Sequence, residues 1–399
     1  MKSNYEPLGK HIQLVDYRNS EEVTSTVLGI SIDKEFMPSV ANVIGTDLSR
    51  YKLISKGLFA CNPMHVGRDE RLPIALYEKD SPTIVSPAYF MFEIIDRDVL
   101  NEEYLMMWFR RPEFDRECWF MTDGSVRGGI TWDDLCRIKL PVPSYARQCE
   151  IVESYRTVTE RIALKRAEND NLAKTIKAVF KSWFLDFDAF DGVELVQSQY
   201  GLIPNGWHYE LLGNLCDCVT KGTTPTTLGK DFTDTGINFI KGESINDDHS
   251  FNKTLFAHID DKTDELLKRS RIYVNDIVFT IAGTLGKFAL VDSSVVPANT
   301  NQAVAIIRTS KIMPAMLYSY FIGEWQVEFY KRNTQQAVQA NLSLGTIKDL
   351  PILLPDSKGQ DHYMQLVTPL IVGMQNNFSE IERLYELQNQ LLARLSSSR

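Results

Sequence analysis

The sequence predicts an α/β (α+β) protein built twice. Two similar globular heads are each followed by a long helix, and the helices pair as an antiparallel coiled coil under a pseudo-two-fold internal repeat. Three observations lead there. Displaced by 212 positions, Leu105, Phe109, Val126, Pro143, Gln148, Glu168 and Leu172 fall on Leu317, Phe321, Val338, Pro355, Gln360, Glu380 and Leu384, and Ile94 and Ile95 fall on Ile306 and Ile307. Two long stretches carry apolar residues at alternating steps of four and three, the signature of a heptad seam. The chain of 399 residues holds two cores of ordinary size without disulfides.

Residues 1–145 form the first head, opening on Leu8-Gly9-Lys10 and ending near Pro143. A β-rich run from Thr83 to Ile95 precedes a helical run from Glu102 to Phe109. Residues 146–190 are the first arm, with the seam Ile151, Tyr155, Val158, Ile162, Lys165, Asn169, Leu172, Ile176, Val179 and Trp183. Residues 191–357 form the second head, which opens on Leu212-Gly213-Asn214 and carries a strand at Ala303 to Thr309 and a helix at Met316 to Phe321. The two openings are offset by 204 rather than 212, so an insertion or deletion lies inside the heads. Residues 358–399 are the second arm, with Tyr363, Val367, Leu370, Met374, Asn377, Ile381, Leu384, Gln388, Leu391 and Leu395 in the same register. Pro87, Gly128, Gly129, Pro297 and Gly345 punctuate the elements. Polar residues within the seams cost stability and can fix register and partner choice. A helix from Arg147 to about Trp183 would be about 55 Å long. It suits either a plain hairpin between two domains or a ruler holding two DNA half-sites more than one turn, about 34 Å, apart.

Composition narrows the function classes. A chain 44% hydrophobic and 24% charged is ordinary for a soluble globular protein, and no apolar run approaches the roughly 20 residues that cross a bilayer. Lys2 leads into a polar segment rather than an apolar one, so the expectation is a cytoplasmic protein without a signal peptide. The cysteines, at 61, 118, 136, 149, 216 and 218, have no disulfide or zinc spacing and read as reduced, mostly buried thiols. A net charge of −9 argues against gripping polyanions by bulk electrostatics. A DNA-binding reading therefore needs cations gathered on one face or phosphate contacts made by a partner.

Catalytic signatures are incomplete. Asn62-Pro63-Met64-His65 lacks the second proline and the stacking aromatic of an adenine methyltransferase motif and reads as a turn after a strand. Gly283-Thr284-Leu285-Gly286-Lys287-Phe288 is a fragment of a phosphate loop, with Ile281 and Phe288 where glycine and a hydroxyl residue belong. Pro355-Asp356-Ser357-Lys358 has no acidic-x-Lys partner for metal-dependent cleavage nearby, and the six histidines form no ligand cluster. No metal site and no bound cofactor are expected.

The end of the first arm reads Phe180-Lys181-Ser182-Trp183-Phe184-Leu185-Asp186-Phe187-Asp188, followed by Gly201-Leu202-Ile203-Pro204-Asn205-Gly206-Trp207. With Tyr51-Lys52-Leu53-Ile54 leading into Phe59-Ala60-Cys61-Asn62-Pro63-Met64, this resembles the specificity subunit of a type I restriction-modification system, over essentially the whole chain. The resemblance implies a non-catalytic subunit whose two target-recognition domains read a bipartite site in double-stranded DNA. It also implies that the arms dock two methyltransferase (modification) subunits, which carry S-adenosylmethionine and flip the target adenine, and that restriction endonuclease subunits join them. The apolar seam residues Ile151, Tyr155, Val158, Ile162, Leu172, Ile176, Val179, Trp183, Val367, Leu370, Met374, Ile381, Leu384, Leu391 and Leu395 are then candidates for helix pairing and for subunit docking.

Arginine suits guanine in the major groove, asparagine and glutamine suit adenine, and lysine positions phosphate. Candidate DNA-binding residues in the first head are Arg50, Tyr51, Lys52, Asn62, His65, Arg68, Arg71 and Arg127, the last in a glycine-rich loop and paired by the repeat with Gln339. In the second head they are Lys221, Thr223, Thr224, Lys241, Ser244, Lys287, Asn299, Gln339 and Asn341. The competing class is a two-headed coiled-coil scaffold that binds no DNA; an autonomous methyltransferase is disfavoured by its missing motifs.

Overall fold

The computed structural model describes residues 5–39, 45–64, 66–122, 128–190, 192–327 and 343–395. The chain divides into one unit of Met1–Ile162 with Glu382–Arg399 and a second of Ala163–Ile381, so each unit holds a stretch of both long helices.

The first unit opens with strand Tyr5–Pro7, antiparallel to Lys139–Pro141, and the Leu8 N–H donates to Ile138 O at 2.8 Å. Between them stand two sheets. One runs Ile12–Leu14, Phe90–Ile94, Phe59–Cys61, Ile74–Leu76, all antiparallel. The other runs Phe36–Pro38, Val27–Ile30, Thr83–Val85, Lys52–Ile54, with a parallel pair at its centre. The run expected from Thr83 to Ile95 therefore breaks. Thr83–Val85 joins one sheet and Phe90–Ile94 the other, because Pro87 cannot donate to a ladder and the chain turns there. Helix Glu102–Phe109, capped by the Asn101 side chain, buries every residue from Tyr104 to Phe109. Phe59 and Phe92 stack with centroids 5.1 Å apart, and both meet Phe109 of this helix edge to face.

The second unit repeats the strand order of the first sheet and builds the other from three strands instead of four. Cys216–Lys221, Val304–Thr309, Ile277–Thr280 and Phe288–Leu290 form one sheet. Ala257–Ile259, Ile237–Ile240 and Ala298–Thr300 form the other, again with one parallel pair. Single interactions recur at the repeat spacing. Leu212 N–H donates to Leu350 O at 2.9 Å, as Leu8 does to Ile138. Gln148 and Gln360 each donate from Nε2 at 2.9 Å to a proline carbonyl, that of Pro143 and of Pro355. Thr131 and Ser343 cap equivalent short helices. A Cβ on Gly9 would lie 2.8 Å from that of Cys136, and one on Gly213 would lie 3.0 Å from that of Lys348. These glycines let the entry turn lie against the short helix. Val126 and Val338 of the sequence repeat lie outside the described residues.

The long helices are Tyr145–Phe184 and Ser357–Arg394. Within the second unit Lys165 Nζ bonds Asn377 Oδ1 at 2.9 Å, Asn377 Nδ2 bonds Asn169 Oδ1 at 2.8 Å, and the Trp183 and Tyr363 rings lie 5.2 Å apart. Numbers rise along one helix as they fall along the other, so the stretches run antiparallel there. Within the first unit Gln388 Nε2 donates to Thr159 Oγ1 at 2.7 Å. Pro369 lies inside the second helix on an exposed face, where the missing N–H leaves one carbonyl to solvent.

The seam is buried at Val158, Ile162, Ile176, Trp183, Val367, Met374, Ile381 and Leu395 and half-buried at Ile151, Tyr155, Leu172, Val179, Leu370, Leu384 and Leu391. The heptad expectation needs correcting in two respects. Val152, Phe180, Ile371 and Leu392 are more deeply buried than the neighbouring seam residues Ile151, Val179, Leu370 and Leu391. The helices lie on globular cores, which demands an apolar stripe wider than a two-helix seam. The buried seam residues are also consumed inside the chain, so they cannot double as a surface for a partner subunit.

The aromatic run at the end of the first helix anchors the second unit. Phe184 is surrounded by Phe180, Trp207, Tyr320 and Tyr363, and Trp183 packs on Phe190 and Tyr363. Gly323 makes room for it, since a Cβ there would overlap the Phe180 ring. The six cysteines are free; Cys61 and Cys118 are buried and the other four half-buried, fewer fully buried than the sequence suggests.

His249 sits at φ +69°, its ring stacked 4.1 Å from that of Phe288, and burial holds its pKa below the ordinary 6.5. The unfolded chain then binds the proton more readily than the folded one. The second unit should accordingly lose stability as pH falls below about 6.5, through the folded-state pKa. Asparagine tolerates this backbone conformation, and urea titrations of His249→Asn should show a flatter dependence over that window.

Candidate nucleic-acid interface

The loop between strands Phe59–Cys61 and Ile74–Leu76 carries Asn62, Arg68 and Arg71 of the first-head candidates together. Asn62 Oδ1 accepts the Met64 N–H at 3.1 Å, which makes the Asn-Pro-Met segment a turn after a strand. Arg68 and Arg71 are exposed and each holds a carboxylate, Asp69 at 2.6 Å and Asp33 at 3.2 Å. Such exposed pairs are weak and exchange readily for phosphate or base partners. His65, Arg127, Gln339 and Asn341 lie outside the described residues.

Arg50 is exposed at the end of turn Leu48–Arg50 and Tyr51 is half-buried beside it. Lys52 serves the fold instead. Its ammonium donates to Tyr89 O at 2.7 Å and lies 3.6 Å from Asp16, and burial pulls its pKa below the usual lysine range.

In the second unit the topologically equivalent loop, between Ile277–Thr280 and Phe288–Leu290, carries Lys287, paired with Asp247 at 3.0 Å. Thr284 is exposed at its tip, and Gly283 and Gly286 both have positive φ. The phosphate-loop fragment is thus a hairpin connection, not a nucleotide cradle. A second group forms after strand Cys216–Lys221. Lys221 is exposed, Thr223 is half-buried, and Thr224 Oγ1 donates to Gln302 Oε1 at 2.7 Å. A Cβ on Gly222 would overlap Thr300 O, so only glycine lets these segments touch. Asn301 and Gln302 belong to this group and escaped the sequence reading; Gln302 is exposed and of a type suited to adenine. Their signal was the Thr-Asn-Gln run directly after a strand.

Two second-head candidates need correction. Ser244 is fully buried, with Oγ donating to Leu255 O at 3.3 Å. Asn299 is fully buried, its amide donating to Asp264 Oδ1 and Leu267 O while its oxygen accepts from Ser270 Oγ and the Thr300 N–H. Both are polar groups satisfied inside the core. Lys241 is half-buried, with its ammonium 5.0 Å from the Phe232 ring centroid. Asp356, at the start of the would-be nuclease segment, caps the second long helix by accepting the Gly359 N–H at 2.8 Å. Among the described residues no group of three or more His, Cys, Asp or Glu could hold a metal ion.

Residues 204–382 match the family described as the type I restriction modification DNA specificity domain. The chain carries this domain and is similar to type I restriction enzyme specificity subunits. It is 23% identical over 321 residues to the type I restriction enzyme MjaIX specificity subunit of Methanocaldococcus jannaschii, covering 76% of this chain and 70% of that one. It is 22% identical over 426 residues to the HindI specificity subunit of Haemophilus influenzae, covering 89% of each. The S subunit from M. genitalium shares the fold, with a TM-score of 0.50 at 13% identity over 99% of this chain and 96% of that one. Specificity subunits are non-catalytic DNA-recognition subunits. Among the described residues, no helix of the chain is long and apolar enough to cross a membrane.

Proposed function

We propose that this specificity subunit reads a bipartite site in double-stranded DNA, one part through each unit, and directs adenine methyltransferase subunits to it. One observation carries the reading. The two units place a loop with candidate reading side chains between the same two strands of the same sheet, Asn62–Arg71 in one and Ile281–Lys287 in the other. Two such loops on one chain suit a target with two parts. The antiparallel stretches of the long helices act as the spacer between the two recognition units. A 40-residue helix is about 60 Å long, enough for half-sites more than one turn apart.

The acidic balance supports shared phosphate contact, with two methyltransferase subunits supplying cations and carrying S-adenosylmethionine, and restriction endonuclease subunits completing the assembly. The exposed helix faces offer their docking surface. Mapping methylated adenines in cells with and without this chain should show one bipartite motif with a fixed gap that vanishes on deletion. An unchanged methylation map, with no sequence-dependent shift of a duplex by the assembled complex, would instead leave a scaffold. Lys221→Ala should weaken binding evenly across sequences and lower the slope of log affinity against log salt by about 1, measured by titration in increasing salt.

A further inference from the structure

In the first unit a buried ion pair lies beside the loop that carries Asn62, Arg68 and Arg71. Lys34 Nζ stands 2.7 Å from Asp115 Oδ1, with side chains only 4% and 11% exposed. The same carboxylate oxygen accepts the Leu72 N–H at 3.0 Å, at the end of that loop. Lys34 occupies φ +65° in a turn closed by its own N–H to Ser31 O and by the Ser31 N–H to Glu35 O, and its ammonium lies 5.0 Å from the Phe114 ring centroid. Turn 31–35, the loop and helix Pro112–Phe120 therefore converge on one charge pair, along a cleft of about 410 Å³ that Asp33 and Arg71 also line.

The start of the loop is held separately. Gly67 N–H donates to Gly128 O at 3.0 Å and Ile130 N–H to Pro63 O at 3.1 Å, and a Cβ on Gly129 would lie 2.8 Å from Pro63 O. Desolvating an ammonium and a carboxylate is costly, and an apolar pair of similar size commonly packs as well or better. What an apolar pair cannot do is direct a backbone N–H and two other segments to one point. The second unit carries no acid at the equivalent position, since the residue 212 places after Asp115 is Val327.

We propose that Lys34 and Asp115 are positioning residues for DNA readout by the first unit, setting the loop Asn62–Arg71 against helix Pro112–Phe120 without touching DNA. The inference rests on the reading of this unit as a DNA reader.

The test replaces both partners, Lys34→Met with Asp115→Leu, in the full chain assembled with its methyltransferase subunits. Melting temperature is measured together with affinity for duplexes mismatched in either half-site. Melting should move by less than about 5 °C, while discrimination against mismatches falls about tenfold in one half-site and stays unchanged in the other. Unchanged discrimination in both halves, or an equal loss in both, overturns the positioning role. Should the double variant not fold, Asp115→Asn decides. It keeps an acceptor for Leu72 but weakens the bond to Lys34, so it should give a smaller loss on the same single side, and an unchanged or two-sided result counts against the role. A wild-type complex that binds no bipartite sequence sinks the DNA reading itself. A wild type and a variant that discriminate equally sink only the inference.

Discussion

Asp115→Ala should destabilise the first unit by about 3–5 kcal/mol, because it leaves the Lys34 ammonium, only 4% exposed, without its carboxylate. Burial already pulls the Lys34 pKa below the usual lysine range, with Asp115 as the charge opposing that pull. The alanine also leaves the Leu72 N–H without its acceptor. For a unit of this size the melting temperature should fall by roughly 6–20 °C. Lys56 and Asp80 provide the control, since they pair at the same 2.7 Å with side chains 63% and 90% exposed. Asp80→Ala should be close to silent, for water replaces the lost carboxylate. Denaturant titration of the two variants side by side separates burial from distance. Equal losses would show that the site around Lys34 is wetter than its geometry implies.

Phe184→Ala should cost the second unit about 3–5 kcal/mol. The ring is 2% exposed and lies 4.7 Å from Tyr320, 4.9 Å from Tyr363, 5.0 Å from Phe180 and 5.5 Å from Trp207, centroid to centroid. These partners come from both long helices, from helix Pro314–Ile322 and from the turn after Pro204, so no single segment can collapse into the space. Phe187, three residues on, is half-buried and touches Trp207 at 6.0 Å; its alanine variant should lose far less. Calorimetry of both variants checks the ordering, and a Phe184→Ala loss under about 1 kcal/mol would mean the cluster refills.

Contacts that recur in the two units were legible where they use the same residue types at one spacing. Gln148 on Pro143 and Gln360 on Pro355 leave a trace that shifting the sequence by 212 positions detects. The long helices were legible for a similar reason, since their period is local, and their ends fell within a few residues of Arg147 and Trp183. Burial of the flanking positions Val152, Phe180 and Leu392 was not, because it depends on cores built from distant residues.

The candidate site was read less well. Ser244 and Asn299 carry the same groups whether they meet a base edge or a neighbouring carbonyl, and residue type cannot tell which partner will be there. Lys34 and Asp115 stand 81 positions apart and belong to no motif. Asn62, Arg68 and Arg71 were found together because one loop holds them, whereas Gln302 reaches Thr224 across 78 residues.

Each head begins and ends in one short antiparallel ladder, Tyr5 to Pro7 opposite Pro141 to Lys139 and His208 to Leu211 opposite Leu354 to Pro351. Entry and exit of the chain are therefore about 4.8 Å apart, one strand spacing. Everything between those ladders is a cassette, and a foreign cassette with the same two ends could be grafted in while the helical frame kept its own hydrogen bonds. The architecture separates what is changed from what must stay, so new specificity can arise by swapping a whole insert rather than by tuning one residue at a time.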